Sequence, residues 1–93
     1  YQMPKGDATD AAAGINVNGG DATFSWGANP PAKMRVRIMN ETTKEFSMHV
    51  VETDAPWTFE GTAATRYYYQ LRPLNADSKP VGPWTEWQHF DTE

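Results

Sequence analysis

The sequence contains no cysteine in its 93 residues. Disulfides, thiolate metal sites and cysteine nucleophiles are therefore excluded together. Basic residues are also in the minority, since 8 lysines and arginines stand against 12 acidic residues, for a formal net charge of −4. Because no stretch concentrates basic residues as a phosphate-binding surface requires, we expect no nucleic-acid partner.

Long apolar runs are missing as well. No stretch approaches the roughly 20 apolar residues that span a bilayer, so we expect no membrane insertion. The length suits a single domain, with room for one core but not for an additional roomy catalytic cleft. Since the chain begins with Tyr1 instead of methionine, we expect it to be a processed product or a piece of a longer protein.

Residue spacings typical of catalytic and metal sites are also absent from the sequence. His49 and His89 lie in separate segments, without the spacing of a zinc-binding or catalytic-triad motif. Asp7, Asp10 and Asp21 lack the ligand spacing of a calcium-binding loop. We therefore predict that the protein is not an enzyme, and that it uses no cofactor and no metal.

The chain does have apolar residues that recur with period two, which predicts β-strands. In its clearest example, Met34, Val36 and Ile38 occupy one face and two arginines occupy the other. Turn-forming glycine, proline and asparagine separate the alternating runs, as in an antiparallel sandwich. The runs are Asp21–Trp26, Lys33–Asn40, Phe46–Glu52, Trp57–Phe59, Arg66–Arg72 and Trp87–Asp91.

The N-terminal residues differ from the rest in composition. Residues 1–13 are rich in alanine, glycine and aspartate and have little to bury. We interpret Ala8–Ala13 as part of an N-terminal strand or as an irregular lead-in. The predicted organisation is a lead-in at 1–13, flexible or docked on a partner, followed by one domain at 14–93.

Two motifs give the pattern a more specific meaning. Trp26 ends a run written T-F-S-W, and the run TRYYYQLRPLN places Thr65 two residues before Tyr67, with apolar residues at alternate positions after it. From about Pro4 to Thr92 the sequence resembles a fibronectin type III module. The resemblance implies an all-β, immunoglobulin-like sandwich of seven antiparallel strands in two sheets.

The resemblance also assigns structural roles. Trp26 would be the core tryptophan, and Tyr67 would be the tyrosine of the corner, with a buried ring and a hydroxyl bonded to nearby backbone. Tyr69 and Leu71 would be further inward positions of the same strand. The segment PWTEW, at 83–87, resembles the W-S-x-W-S sequence of some members, with Thr85 in place of the first serine. The sequences around Tyr67 and in PWTEWQ look more like those of modules in bacterial secreted enzymes, surface proteins or phage tail proteins.

If the family's strands C, F and G lie side by side, one outer face collects arginine and aromatic side chains. Guanidinium groups stacked on indoles would form a cation–π ladder that is purely structural. Exposed aromatic rings would instead offer a flat platform to a sugar, and a protein contact is the remaining alternative. The candidate binding residues are Arg35, Arg37, Tyr68, Arg72, Trp84 and Trp87.

These observations predict a non-catalytic spacer or binding module of a larger secreted, cell-surface or virion protein. It would contact neighbouring domains and present its C–F–G face to a polysaccharide or a protein partner. One alternative is a carbohydrate-binding module with an exposed tryptophan and tyrosine platform. Another is a stand-alone structural subunit of a virion or filament, because one fold hosts many functions.

Overall fold

The structure, a computed structural model, describes residues 13–93, which form two antiparallel β-sheets packed face to face. The first sheet has the strand order β1-β2-β5 and the second the order β4-β3-β6-β7. The predicted seven-stranded sandwich is confirmed. The strands are β1 (Ala13–Asn18), β2 (Asp21–Trp26), β3 (Lys33–Asn40), β4 (Phe46–Glu52), β5 (Trp57–Glu60), β6 (Arg66–Leu74) and β7 (Gln88–Asp91).

Three strands, β2, β3 and β4, have the bounds predicted from the alternation. In β5 and β6 the hydrogen-bonded ladder continues beyond the predicted ends, to Glu60 and Leu74. Strand β7 begins at Gln88, which leaves Trp87 in the preceding loop. Most of the predicted N-terminal lead-in, residues 1–12, lies outside the described residues. Within residues 13–93, no helix is long and apolar enough to cross a membrane.

An N-terminal strand was predicted only as one of two alternatives, and not with the bounds of β1, although β1 carries a short alternation. Ile15 and Val17 pack against the core, while Gly14, Asn16 and Asn18 alternate with them. A tight turn at Gly19-Gly20 joins β1 to β2, and Gly19 has a φ of 62°, where side chains are strained. A Cβ on Gly20 would lie 2.7 Å from the carbonyl oxygen of Gly61, so the backbones approach too closely for any side chain.

Aromatic side chains from both sheets form the centre of the core. Phe24 on β2 is fully buried and makes edge-to-face contacts with Tyr69 at 5.4 Å and Phe90 at 5.8 Å between ring centroids. Tyr67 is also buried, and its hydroxyl accepts a hydrogen bond of 2.7 Å from the backbone N–H of Thr62. This bond ties the start of β6 to the loop before it, as the tyrosine corner of related sandwiches does.

The pairing of β3 with β4 determines which side of β4 meets water. Arg37 lies opposite Met48 and Met39 lies opposite Phe46. Directly opposed residues share one face of a sheet, and the side chains of β3 that face outward are those of Arg35, Arg37 and Met39. The apolar side of β4 therefore faces solvent, while its other side faces β5.

Candidate functional site

The candidate site is the outer face, by which we mean the solvent-facing side of β4-β3-β6-β7. The register aligns Arg35 with Arg72 and Met39 with Tyr68 across β3 and β6. Strands β3, β6 and β7 are neighbours in this sheet and take the places of the family's strands C, F and G. One end of the face is consequently basic and the other is apolar.

At the basic end, two guanidinium groups lie against one indole. The Cζ atom of Arg37 is 4.4 Å from the ring centroid of Trp84, and that of Arg72 is 5.9 Å away. Both distances are within the roughly 6 Å range of cation–π attraction. Arg37 also donates to Gln70 Oε1 at 3.2 Å, and Arg72 donates to the carbonyl of Gly82 at 3.0 Å. Both arginines are therefore engaged by groups of their own domain.

Thr85 holds Trp84 in place, although neither residue belongs to a strand. The N–H of Thr85 donates to the carbonyl of Leu71 at 2.8 Å, and its hydroxyl accepts from the N–H of Leu71 at 2.9 Å. Its carbonyl accepts from Gln70 Nε2 at 3.0 Å. The threonine side chain thus occupies the position that a strand carbonyl would take, and it is only 1% exposed.

The other end of the outer face carries an apolar patch, defined here as Met39, Phe46, Met48, Tyr68 and Trp87. Phe46 is 60% exposed, Met48 is 51% exposed and Trp87 is 45% exposed. Both guanidinium–indole contacts found in residues 13–93 involve Trp84, and neither involves Trp87. Its ring lies 6.1 Å from that of Phe46, at an interplanar angle of 57°.

The patch encloses a shallow groove instead of a flat platform. Met39, Phe46, Tyr68 and Trp87 line it, and the tilt between the two exposed rings gives it sloping walls. At its rim the Tyr68 hydroxyl lies 3.4 Å from Glu41 Oε1. Exposed apolar patches with a polar rim are typical of interaction sites. The shape suits an inserted apolar side chain.

The histidines occupy opposite sides of this sheet. His49 faces the other sheet, with its ring 4.9 Å from Trp57 and 6.0 Å from Phe59, and burial lowers its pKa. His89 lies on the outer face beside Tyr68, at 6.0 Å. No group of three or more potential metal ligands occurs in the part of the chain that the structure describes.

Sequence reasoning named Arg37, Arg72 and Trp84 for this face, and the structure brings these three together. It did not assign Met39 and Phe46 to the same face, nor did it recognise the bonding role of Thr85. The length of the hairpin between Asn40 and Glu45 sets the register of β4 against β3, and this register determines which side of β4 shares the outer face. Thr85 was noted in the sequence only as the residue in place of the first serine of W-S-x-W-S, without a bonding role.

Comparison with known proteins identifies the class of fold. No protein-family model matches the sequence, and no curated protein matches it significantly. Solved structures do match. The FN5 domain of Drosophila Lar aligns with a TM-score of 0.63 and 14% sequence identity, covering 86% of this chain and 89% of that one. A fibronectin type III domain of human collagen XX aligns with a TM-score of 0.60 and 16% identity, covering 86% and 88%.

The chain therefore has the fibronectin type III fold, which confirms the resemblance found in the sequence. At these identities the likeness concerns the fold alone. The similarity of PWTEW to the W-S-x-W-S sequence stays a prediction.

Proposed function

We propose that this protein is a non-catalytic spacer and binding module of a larger extracellular protein, and that the apolar patch receives a protein partner. The observation that carries the proposal is the exposure of Phe46, Met48 and Trp87 side by side on one face. Domains of this fold are generally non-catalytic and often extracellular, which supports both parts of the proposal.

The chemistry of the patch suits a protein more than a small ligand. Aromatic residues, methionine and arginine are enriched at protein interfaces, and Phe46, Trp87, Met48 and Arg37 adjoin one another here. A partner that buried one of the large side chains completely would gain about 1.5 to 3 kcal/mol. The groove is therefore a plausible location for a binding hot spot.

A carbohydrate partner is the second candidate. Tyr68 and Trp87 line the same groove, and an exposed aromatic ring can stack on the apolar face of a sugar. Trp84 contributes less to such a site because arginines lie over its ring.

Intrinsic fluorescence distinguishes the two candidates. The domain is titrated with a panel of soluble polysaccharides, alongside Trp87→Ala and the control Val81→Ala, which truncates an exposed residue outside the apolar patch. A saturable change that only Trp87→Ala abolishes would assign the groove to carbohydrate and contradict the protein partner. We expect no change with any polysaccharide.

A photo-crosslinking experiment tests the protein partner directly. A benzophenone amino acid is introduced at position 87 of the domain within its parent protein, with the same amino acid at exposed position 81 as the control. We expect a discrete cross-linked product from position 87 alone. Equal labelling at both positions would contradict a binding role for the patch and leave only the spacer role.

A further inference from the structure

Strand β4 is the longest edge strand in residues 13–93. The sheets leave β1, β5, β4 and β7 at their edges. Strands β5 and β7 have 4 residues each and β1 has 6, whereas β4 has 7. Natural proteins protect sheet edges with short strands, charges, prolines or bulges. Residues 46–51 of β4, read FSMHVV, contain no lysine, proline or acidic residue.

The phase of the ladder shows which backbone groups are free. The N–H of Asn40 donates to Glu45 at 2.9 Å, and the N–H of Thr53 donates to Ala32 at 3.4 Å, at the two ends of the β3–β4 pairing. Hydrogen-bonded and non-bonded pairs alternate in an antiparallel ladder. The odd-numbered residues of β4 therefore bond to β3. The even-numbered residues direct their N–H and C=O groups away from β3, to the open edge. These residues are Phe46, Met48, Val50 and Glu52.

We propose that β4 pairs antiparallel with β4 of a second copy of this chain, around a two-fold axis at Met48. In this register Phe46 faces Val50 of the second copy, and Met48 faces Met48. Opposed apolar pairs stabilise antiparallel strands. Phe46, Met48 and Val50 are all exposed, so their side chains are available for such pairs.

The neighbouring register fits less well. An axis at His49 would place Phe46 opposite Glu52 of the second copy and would bring the two His49 rings together. Phe46, Met48 and Val50 all face apolar residues of the second copy only when the axis lies at Met48. The strand is thus complementary to itself, which an isologous dimer requires.

This inference concerns the backbone edge of β4, whereas the proposed partner occupies the groove, although Phe46 adjoins both. The identity of the product cross-linked from position 87 therefore separates the two proposals. A strictly monomeric protein that cross-links from position 87 to a different protein would overturn the dimer alone. A dimer whose cross-linked product contains only this chain would contradict only the proposed partner.

Sedimentation equilibrium of the full chain over a range of concentrations tests the dimer. We expect a reversible monomer–dimer equilibrium. Met48→Lys would place two lysines opposite each other on the axis and weaken dimerisation at least about tenfold. Val81→Lys, which adds the same charge at an exposed position away from β4, serves as the control. A monomer at every concentration would overturn the proposal, and so would a dimer that responds equally to both substitutions.

Amide hydrogen exchange identifies the occupant of the edge. The amides of Met48 and Val50 should gain protection as the protein concentration rises, while those of Ser47 and His49, which bond to β3, should not change. Protection of Met48 and Val50 that is independent of concentration would overturn the proposal. It would show that another part of the same chain, such as residues 1–12, covers the edge.

A cross-link tests the register, and the absence of native cysteine makes the result unambiguous. Directly opposed residues in a hydrogen-bonded pair have Cα atoms about 5.5 Å apart, a distance that a disulfide spans. Met48→Cys should form a disulfide-linked dimer under mild oxidation, whereas Val81→Cys should not. Dimer formation by His49→Cys in place of Met48→Cys would overturn the axis at Met48.

Discussion

Trp84 and Trp87 are close in sequence and lie on the same side of the same sheet, yet their surroundings differ. Trp84 is half-buried, and two guanidinium groups of its own domain lie over its ring. Trp87 is 45% exposed, and its aromatic neighbour Phe46 is itself more exposed than buried. The difference shows that neither residue type nor spacing distinguishes a structural tryptophan from a candidate binding residue.

The cause of the difference lies in the strands beneath the two rings. Trp84 lies over the part of the sheet where the register aligns arginines of β3 and β6. Trp87 lies over the end where Met39 and Tyr68 are aligned and where the apolar side of β4 begins. A tryptophan beside arginines finds intramolecular partners, whereas one beside exposed apolar groups extends a patch that a partner can bury.

The largest effect should come from Trp84→Ala. It removes a large half-buried ring and exposes the arginines and Gln70 beneath, so we expect a loss of about 2 kcal/mol, below the 3 to 5 kcal/mol of a fully buried aromatic residue. Urea denaturation followed by circular dichroism measures it. A loss under about 0.5 kcal/mol would mean that the arginine contacts do not stabilise the domain.

Thr85→Val should have the next largest effect. Valine keeps the shape of threonine but leaves the buried N–H of Leu71 without its acceptor, which we expect to cost about 1 to 1.5 kcal/mol, the lower part of the range for such groups. Thr85→Ser, which retains the hydroxyl, is the matched control and should lose less. If the valine and serine variants were equally stable, the side-chain hydrogen bond would not be what secures the segment that carries Trp84.

Trp87→Ala should change stability by less than about 0.5 kcal/mol, as is usual for surface positions. Its predicted consequence is functional, namely weaker binding of the protein partner that cross-linking from position 87 identifies. The same denaturation experiment measures its stability. A loss as large as that of Trp84→Ala would remove the distinction between the two tryptophans.

The smallest effect concerns His49, which faces inward beneath the exposed side of β4. Burial lowers its pKa in the folded protein below the ordinary value of 6.5. Below about pH 6.5 the unfolded chain therefore binds the proton more readily than the folded protein, so stability should fall as the pH decreases from 7.5 to 5.5.

His49→Gln should reduce this slope, because glutamine does not titrate. The free energy of unfolding at several pH values measures the slope. Equal slopes in the wild-type protein and in His49→Gln would contradict the assignment to His49.

Much of the fold could be predicted because alternation determines strands directly. The runs at Asp21–Trp26 and Lys33–Asn40 gave the bounds of β2 and β3, and the corner motif at Tyr67 indicated the family of folds. The bounds of strand β1 were missed because only Ile15 and Val17 carry its pattern. A segment with only two alternating apolar residues has a pattern that also occurs in loops, so its bounds as a strand cannot be predicted.

The candidate site was only partly predictable. The arginines and both tryptophans could be placed on one face from the order of the strands alone. That Trp84 meets Arg37 while Trp87 meets Phe46 depends on registers set by hairpin lengths and on the side-chain bond of Thr85 to Leu71. Such bonds have no pattern in the sequence.

The most direct test of this account uses ¹⁹F NMR of the domain labelled with 5-fluorotryptophan. Its four tryptophans are assigned by single substitutions to phenylalanine, and a soluble paramagnetic agent is added. The account predicts that the Trp87 resonance broadens strongly and the Trp84 resonance much less, because Trp84 packs against arginines. Equal broadening, or stronger broadening of Trp84, would contradict the division of the outer face into a self-contained basic end and an open apolar patch.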